Sequence, residues 1–374
     1  MGTHTITVER GADAAVDLSP ARDVLRAGGL VVFPTETVYG IAVSAAHPDG
    51  IRRLRTIKGA DASQAFTLHI ARRADLAHVV PDVSPVGKRL VEKGWPGPMT
   101  LVFQLDEPSR SPVYPALPSE GVEAMFSGAS LGVRCPDDAV AERLLADLDV
   151  PVVATSANRL GGAVPTSAAE LAIDVSSAVD VVIDAGRSRY GRPSTIVALN
   201  GQGYRIQREG VYDDRTIRRM ASFTILFVCS GNTCRSPMAE FLARQALAQR
   251  LGCHEDELVR RGIVVVSAGT HGYPGGSAST EAVAVLRNRG IDAGSHRSRA
   301  LTADLLQSAD RIFAMTDGHL ESIRAILPEA RTKADRLDPA GDVVDPVGGS
   351  VEDYERCASR IADALKQRLR ELPV

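Results

Sequence analysis

The sequence predicts two α/β domains in series: a mixed-sheet domain, then one built on a mostly parallel sheet. Three observations carry this. The chain has 374 residues, and at about 100–200 residues per domain that is room for two. From Phe223 onward, short apolar runs alternate with amphipathic ones, the pattern of strands whose intervening helices cover both faces of a parallel sheet. Before residue 211, some strand-like runs follow one another with no helix between, as at 195–207, which implies hairpins and a mixed sheet. The charged stretch 211–222 separates the two patterns, so the domains are expected at 10–213 and 223–374.

In the first domain, Ser19-Pro20 reads as a helix start and Gly28-Gly29 as its stop. A buried strand follows at 30–33, and further strands fall at 99–105, 131–134, 152–154, 181–183, 195–199 and 204–207, with helices at 85–93 and 139–148. In the second, strand 223–228 is followed by helix 236–251, strand 263–267, helices 279–289 and 302–308, strand 311–315, helix 317–327 and a terminal helix 350–371. In such sheets ligands sit beyond the carboxyl ends of the strands. The first loop to leave that edge begins at Cys229.

Composition narrows the function classes. Hydrophobic content of 44% with 24% charged residues is ordinary for a globular protein. With aromatics at 4%, the cores must be built from Ala, Val, Leu and Ile. A net charge of −3 gives no global signal for nucleic acid or membrane. No run approaches the ~18 apolar residues that span a bilayer, and the N-terminus lacks the basic start and apolar stretch of a signal peptide. The cysteines number 5, which argues against a disulfide framework and for a reducing cytoplasm.

The loop Cys229-Ser-Gly-Asn-Thr-Cys-Arg235-Ser236-Pro237 lies between an apolar strand and an amphipathic helix. A loop curling into a helix start turns several backbone N–H groups toward one point and so binds an anion. Ser230, Gly231, Asn232, Thr233, Cys234 and Ser236 would line it, and Arg235 adds a planar fork matched to phosphate oxygens. That positive field favours the thiolate of Cys229, the nucleophilic form, and Ser236 can donate a hydrogen bond to it. The bare Cys-x5-Arg spacing is weak, because a buried cysteine beside a surface arginine satisfies it too. Placement between strand and helix carries the reading. The leaving group also needs a proton donor. Asp345, in Val343-Val-Asp-Pro-Val-Gly-Gly349, sits where a proline and glycines suit a closing loop. Asp338-Pro339 is the local rival, and either aspartate could be a turn former only.

With these pieces in view, residues 223–374 resemble the low-molecular-weight protein tyrosine phosphatase family throughout, through VCSGNTCRSPMAE, VVSAGT, SHRSR, ADRIFAMT and VVDPVGGS. The resemblance implies Cys229 as nucleophile, Arg235 as phosphate ligand and Asp345 as acid. It also implies phosphorylated proteins as substrates, no cofactor, and a cysteinyl-phosphate hydrolysed by water. Tyrosine-selective members carry Ile or Leu where Thr233 stands, and an aromatic pair after the Asp-Pro. Here Val347-Gly-Gly follows, and the loop is closer to the bacterial protein-arginine phosphatases. A threonine hydroxyl can hydrogen-bond a guanidinium, and no aromatic wall grips a phenol ring, so phosphoarginine is expected over phosphotyrosine. Arsenate reduction uses the same loop but needs further cysteines as a relay, and 254–356 contains none. Cys234 could pair with Cys229 on oxidation or simply pack under the loop.

In the first domain, Pro34-Thr-Glu-Thr-Val-Tyr-Gly-Ile41, Ile57-Lys-Gly59, Trp95-Pro-Gly-Pro-Met-Thr100, Gly132-Val-Arg-Cys-Pro136, Ala154-Thr-Ser-Ala-Asn158, Pro193-Ser-Thr195 and Arg208-Glu-Gly210 are each readable as turns. Together they supply hydroxyls, an amide and isolated cations at strand edges, an inventory that suits a nucleotide phosphate and a small polar metabolite. In order and spacing they resemble the YrdC-like threonylcarbamoyl-AMP synthase family over roughly residues 10–212. That family condenses threonine, bicarbonate and ATP, releases pyrophosphate, and feeds threonylcarbamoylation of tRNA adenosine 37. The resemblance implies threonine at Thr35, His69 and Ser194. It implies the nucleotide at Lys58, Arg134, Ser156, Asn158 and Arg208, with Mg2+ arriving on ATP and tRNA or tRNA-modifying proteins as partners. No dedicated metal-ligand cluster is visible in the sequence. The family's basic motif is Lys-x-Arg followed by proline, whereas this chain reads Lys58-Gly-Ala60-Asp61, and Ala65-Phe66 replaces a proline-leucine pair. Losing a phosphate-contacting arginine costs on the order of 2–4 kcal/mol of transition-state stabilisation. Arg52, Arg53 or Arg55 would have to reach in instead. The alternative is a phosphatase fused to a non-catalytic nucleotide- or RNA-binding domain.

Overall fold

The computed structural model describes residues 3–9, 16–59, 64–146, 148–201 and 203–372. The chain divides into two compact units, Met1–Ile217 and Arg218–Val374.

The first unit runs β1 (His4–Thr7), α1 (Ser19–Arg26), β2 (Val31–Phe33), β3 (Gly40–Ser44), α2 (Pro48–Lys58), β4 (Thr67–His69), α3 (Pro85–Gly94), β5 (Met99–Gln104), α4 (Ser119–Met125), β6 (Phe126–Ser127), β7 (Ser130–Arg134), α5 (Ala139–Leu145), β8 (Val152–Ser156), α6 (Ile173–Ser176), β9 (Val181–Asp184), β10 (Thr195–Asn200) and β11 (Gly203–Arg208). The strands make one mixed sheet in the order β1-β9-β2-β3-β8-β4-β7-β5-β10-β11, with β6 added on β7. The hairpin expected at 195–207 is there, as β10 and β11 pair antiparallel. A second hairpin was not read from the sequence: β2 and β3 pair with Val31 opposite Ala42. The loop joining them, 34–39, is buried throughout. A buried polar loop must find partners for its hydroxyls and charges inside the protein, and this one joins two interior strands of the sheet.

Stretch 211–222, read as a charged connector, is largely helical: α7 (Asp214–Ala221) occupies it, with Ile217 and Ala221 buried. The division between the units falls inside this helix. Its charged residues outnumber its apolar ones, and that hid a narrow apolar stripe.

The second unit runs β12 (Phe223–Cys229), α8 (Arg235–Leu251), β13 (Ile263–Gly269), α9 (Thr280–Asn288), α10 (Ala303–Ser308), β14 (Arg311–Ala314), α11 (Asp317–Ile326), β15 (Ala334–Arg336) and α12 (Val351–Arg370). Its sheet, in the order β13-β12-β14-β15, is parallel at every pairing. Central β12 is buried along its whole length, which is why it reads as a continuous apolar run. Its side chains nonetheless alternate. Ile225, Phe227 and Cys229 join a core with residues of α8, α9 and α12, while Leu226 and Val228 join one with residues of α10 and α11. Each fully buried Leu, Ile or Phe contributes about 1.5–3 kcal/mol, so β12 is anchored from both faces. Its carboxyl end delivers Cys229 to a fixed place.

Candidate functional sites

β12 ends at Cys229 and α8 begins at Arg235, so residues 230–234 make the whole turn. The turn wraps the sulfur. The Asn232 N–H donates to Cys229 Sγ at 3.3 Å, and Ser236 Oγ lies 3.0 Å from the same atom. Asn232 shapes the loop. Its φ of 57° is left-handed, a conformation asparagine accepts more readily than most residues. Its buried side chain donates to Ser236 Oγ (2.9 Å) and Ser267 Oγ (2.8 Å) and accepts from the Arg299 N–H (2.8 Å). His296 Nε2 donates to its carbonyl at 2.8 Å, and Ser267 donates on to Glu240 Oε2 at 2.6 Å. Gly269, at the end of β13, leaves room for all this: a Cβ there would come within 2.5 Å of the Ser230 carbonyl oxygen and 2.8 Å of Asn232 N.

Arg235 is buried. Nη1 donates to the Val343 carbonyl at 3.1 Å, Nη2 donates to Ser230 Oγ at 3.2 Å, and the guanidinium pairs with the Asp345 carboxylate. Asp345 is therefore at the loop. Its rival Asp338 is held by Arg360 Nε at 2.7 Å instead. Burial works against the charge of Asp338, but the bonds from Arg360 and the Ala340 N–H outweigh it and hold the carboxyl below its usual range. Thr233 is half-buried, with its carbonyl accepting from the Ser279 N–H at 2.9 Å. Cys234 packs beneath the loop, its sulfur 3.2 Å from the Tyr354 hydroxyl, and all five cysteines are free. Four supporting residues escaped the sequence reading: Ser267, His296, Glu240 and His319. The first two fall inside the VVSAGT and SHRSR segments, but the bonds to Asn232 join residues far apart in sequence.

In the first unit a cavity of about 350 Å³ is lined by Thr35, His69 and Ser194 and by Lys58, Arg134, Ser156, Asn158 and Arg208. These are all eight residues singled out there from the sequence. Lys58, the last residue of α2, donates from Nζ to the Ser156 carbonyl (3.0 Å), the Asn158 carbonyl (2.6 Å) and Asn158 Oδ1 (3.2 Å). These are neutral oxygens, and burial pushes the ammonium pKa down to about 8. Arg134 Nη2 donates to Thr37 Oγ1 at 2.6 Å and Thr35 Oγ1 at 3.3 Å. It also lies 3.1 Å from Glu36 Oε1, a buried carboxylate the sequence reading did not single out. Arg208 Nη2 donates to the Ser194 carbonyl at 2.9 Å, and Ser194 Oγ lies 3.0 Å from Thr100 Oγ1. His69 Nδ1 donates to the Thr67 carbonyl at 3.0 Å. Burial, aided by the Arg134 charge, pushes its pKa down to about 3, so the ring is neutral and Nε2 keeps its lone pair.

The expected stand-ins for the absent arginine point elsewhere. Arg52 pairs with Asp49 and Glu120, Arg53 with Asp180, and Arg55 donates to the Glu123 carbonyl. The Ala60-Asp61 departure itself lies outside the described residues, whereas Ala65 and Phe66 line the cavity. Among the described residues, no group of three or more His, Cys, Asp or Glu could hold a metal ion. None of the described helices is long and apolar enough to cross a membrane.

Residues 23–210 match the Sua5/YciO/YrdC family, described as telomere recombination. Residues 224–373 match the low molecular weight phosphotyrosine protein phosphatase family. The chain belongs to both families. Among relatives, it is 33% identical over 179 residues to the threonylcarbamoyl-AMP synthase of Pyrococcus abyssi, covering 48% of this chain and 49% of that protein. It is 38% identical over 153 residues to the protein-arginine-phosphatase of Bacillus subtilis, covering 40% of this chain and 95% of that protein. It is 34% identical over 154 residues to the probable low molecular weight protein-tyrosine-phosphatase EpsP of Ralstonia nicotianae, covering 40% of this chain and 97% of that protein. The chain thus spans nearly the full length of these two phosphatase relatives and about half that of the P. abyssi synthase. Both units belong to families of enzymes.

Proposed function

We propose that the chain is a bifunctional cytoplasmic enzyme: a threonylcarbamoyl-AMP synthase in its first unit and a protein phosphatase, phosphoarginine preferred, in its second.

The phosphatase reading rests on one observation: the Cys229 sulfur meets both the Asn232 N–H and Ser236 Oγ within one helix-capping turn. Both groups can donate to the sulfur of a thiolate, the nucleophilic form. The thiolate attacks phosphorus, the S–P bond forms as the P–N or P–O bond breaks, and Asp345 protonates the departing atom. Water then attacks the phosphorus, giving its proton to Asp345 as the S–P bond breaks, which releases phosphate and restores the Cys229 thiolate. In the ligand-free site Arg235 pairs with Asp345, so an entering phosphate takes the guanidinium and leaves the carboxyl to the leaving group. Thr233 Oγ1 accepts a guanidinium N–H of phosphoarginine. The test is turnover of phosphoarginine and phosphotyrosine peptides side by side, with Cys229→Ser as the inactive control. Thr233→Ile shifts the ratio toward phosphotyrosine by about 10-fold. A wild-type preference for phosphotyrosine refutes the arginine reading.

The synthase reading rests on the gathering of Thr35, His69 and Ser194 with three cations in one cavity. Lys58, Arg134 and Arg208 neutralise phosphate charge, Ser156 and Asn158 orient the nucleotide, and Mg2+ enters on ATP. The neutral His69 ring accepts a hydrogen bond from threonine. The threonine amine condenses with bicarbonate to a carbamate and water; a carbamate oxygen then attacks the α-phosphorus as its bond to the bridging oxygen breaks, displacing pyrophosphate. The product serves tRNA modification. Pyrophosphate release by the full chain that requires ATP, threonine and bicarbonate together is the expected result. Tight ATP binding with no release favours the non-catalytic binding domain instead.

A further inference from the structure

Beside the phosphate loop stands a histidine for which the chemistry above has no use. His319 lies in the first turn of α11 and is 7% exposed. Its Nε2 is 2.9 Å from Ser230 Oγ, and its Nδ1 is 2.8 Å from Thr316 Oγ1. Thr316 caps the helix, and its Oγ1 accepts from the His319 backbone N–H at 3.3 Å.

The cap gives one ring nitrogen a donor within reach. The Thr316 hydroxyl accepts from the His319 N–H and still has its own hydrogen to give, and Nδ1 lies within its reach. With Nδ1 accepting, a neutral ring carries its hydrogen on Nε2; in the opposite tautomer Nδ1–H would donate to the second lone pair of Thr316 Oγ1. The ring is neutral because burial, with the Arg235 charge, pushes its pKa down to about 4. Asp345 and Asp342 pull the other way without prevailing, and His271 adds to the depression. In the first arrangement Nε2–H donates to Ser230 Oγ, which also accepts from Arg235 Nη2 at 3.2 Å. Two bonds received fill the oxygen's acceptor capacity and leave the serine hydrogen as its one free function.

We propose that His319 is a positioning residue of the phosphatase site: through Nε2 it orients Ser230 so that the serine hydroxyl donates to the phosphoryl group held in the 229–236 loop. Ser230 thereby becomes a side-chain donor to the anion, beside the backbone amides and Arg235. The inference rests on the phosphatase reading, but binding alone can test it.

The experiment compares the full chain with Ser230→Ala, His319→Ala, the double variant and His319→Gln. It measures the affinity for inorganic phosphate by calorimetry, kcat/KM on an aryl phosphate, and the thermal midpoint. Each alanine variant is expected to weaken phosphate binding about tenfold, the worth of one bond to a charged group. The double variant should be no weaker than Ser230→Ala. His319→Gln, whose amide can donate to Ser230, should recover most of the loss. A merely structural histidine behaves differently: His319→Ala then lowers binding and thermal midpoint by the same factor in the Ser230→Ala background as in the wild type. That additivity overturns the proposal, as does an unchanged phosphate affinity in Ser230→Ala. Wild-type protein that binds phosphate in this non-additive pattern but turns nothing over leaves the proposal standing and sinks the phosphatase reading instead.

Discussion

In the second unit a single stretch, 229–236, provides sulfur, amides, hydroxyls and guanidinium. In the first, comparable chemistry is gathered from the ends of α2, β4, β7, β8 and β11 and from the buried 34–39 loop. The difference is more than bookkeeping along the chain. A contiguous loop gets its shape from backbone dihedrals, and the protein's task is to brace it from behind with Asn232, Ser267, Glu240, His296 and Arg299. A gathered cavity gets its shape from the sheet, and its liners hold one another: Lys58 by Asn158 and Ser156, Arg134 by Thr35. The loop should therefore be brittle toward changes in its bracing, and the cavity graded in its response to single changes among its liners.

The sharpest way to break this comparison is Gly269→Ala. The added methyl meets backbone on both near sides, Ser230 O and Asn232 N, and backbone cannot swing aside as a flexible side chain would. A displacement approaching 1 Å at the loop should lower phosphatase kcat/KM by about 10²-fold or more. Near-normal kinetics would mean that the loop is not held to this geometry. Asn232→Ala comes next. It removes three side-chain bonds from a fully buried position and leaves the Arg299 N–H, Ser236 and Ser267 to find new partners. The expected cost is roughly 2–3 kcal/mol in the unfolding free energy of this unit, together with lost turnover. Asn232→Gly removes the same bonds but eases the left-handed backbone. It should be the more stable of the two while remaining as poor a catalyst. Equal stability of the pair would show that the backbone at 232 is unstrained.

What the sequence disclosed follows the same divide. The 229–237 loop was legible from physical chemistry alone, because its parts are adjacent and bracketed by a strand and a helix of opposite periodicity. The cavity was legible only through family resemblance, because nothing in the spacing of Lys58, Arg134 and Arg208 says that three strand or helix ends converge. The strands that escaped notice have physical reasons too. In β3, Gly40-Ile-Ala-Val-Ser44, five buried residues follow directly on a turn-like polar run, and the paired strand is lost in it. β15, Ala334-Asp-Arg336, is a short edge strand of mixed polarity, and only its ladder with β14 makes it a strand. Glu36 and His319 share a further obstacle. Each acts on a partner far off in sequence, Arg134 and Ser230 respectively, and a lone buried Glu or His carries no periodic mark.

The mildest effect expected, and the one that best separates the two constructions, concerns Lys58. Its ammonium is buried among neutral oxygens, and its pKa falls from the ordinary 10.5 to about 8. The sign follows from linkage. Below pH 8 the group is charged in both folded and unfolded chains, and its burial opposes folding in full. Between 8 and 10.5 the folded chain holds fewer protons than the unfolded one, so this penalty is relieved as pH rises. Nucleotide binding runs the other way. A polyanion beside Nζ favours the charged form, so ATP binding above pH 8 must take up a proton. The affinity should fall there with a limiting slope of about tenfold per pH unit. Calorimetric titrations with ATP in two buffers of different ionisation enthalpy, at pH 7 and 9, should show proton uptake only at the higher pH. Lys58→Arg, charged throughout, should abolish both the uptake and the slope. If proton uptake persists in Lys58→Arg, some other group in the cavity titrates, and Lys58 is held charged by contacts stronger than its neutral oxygen partners.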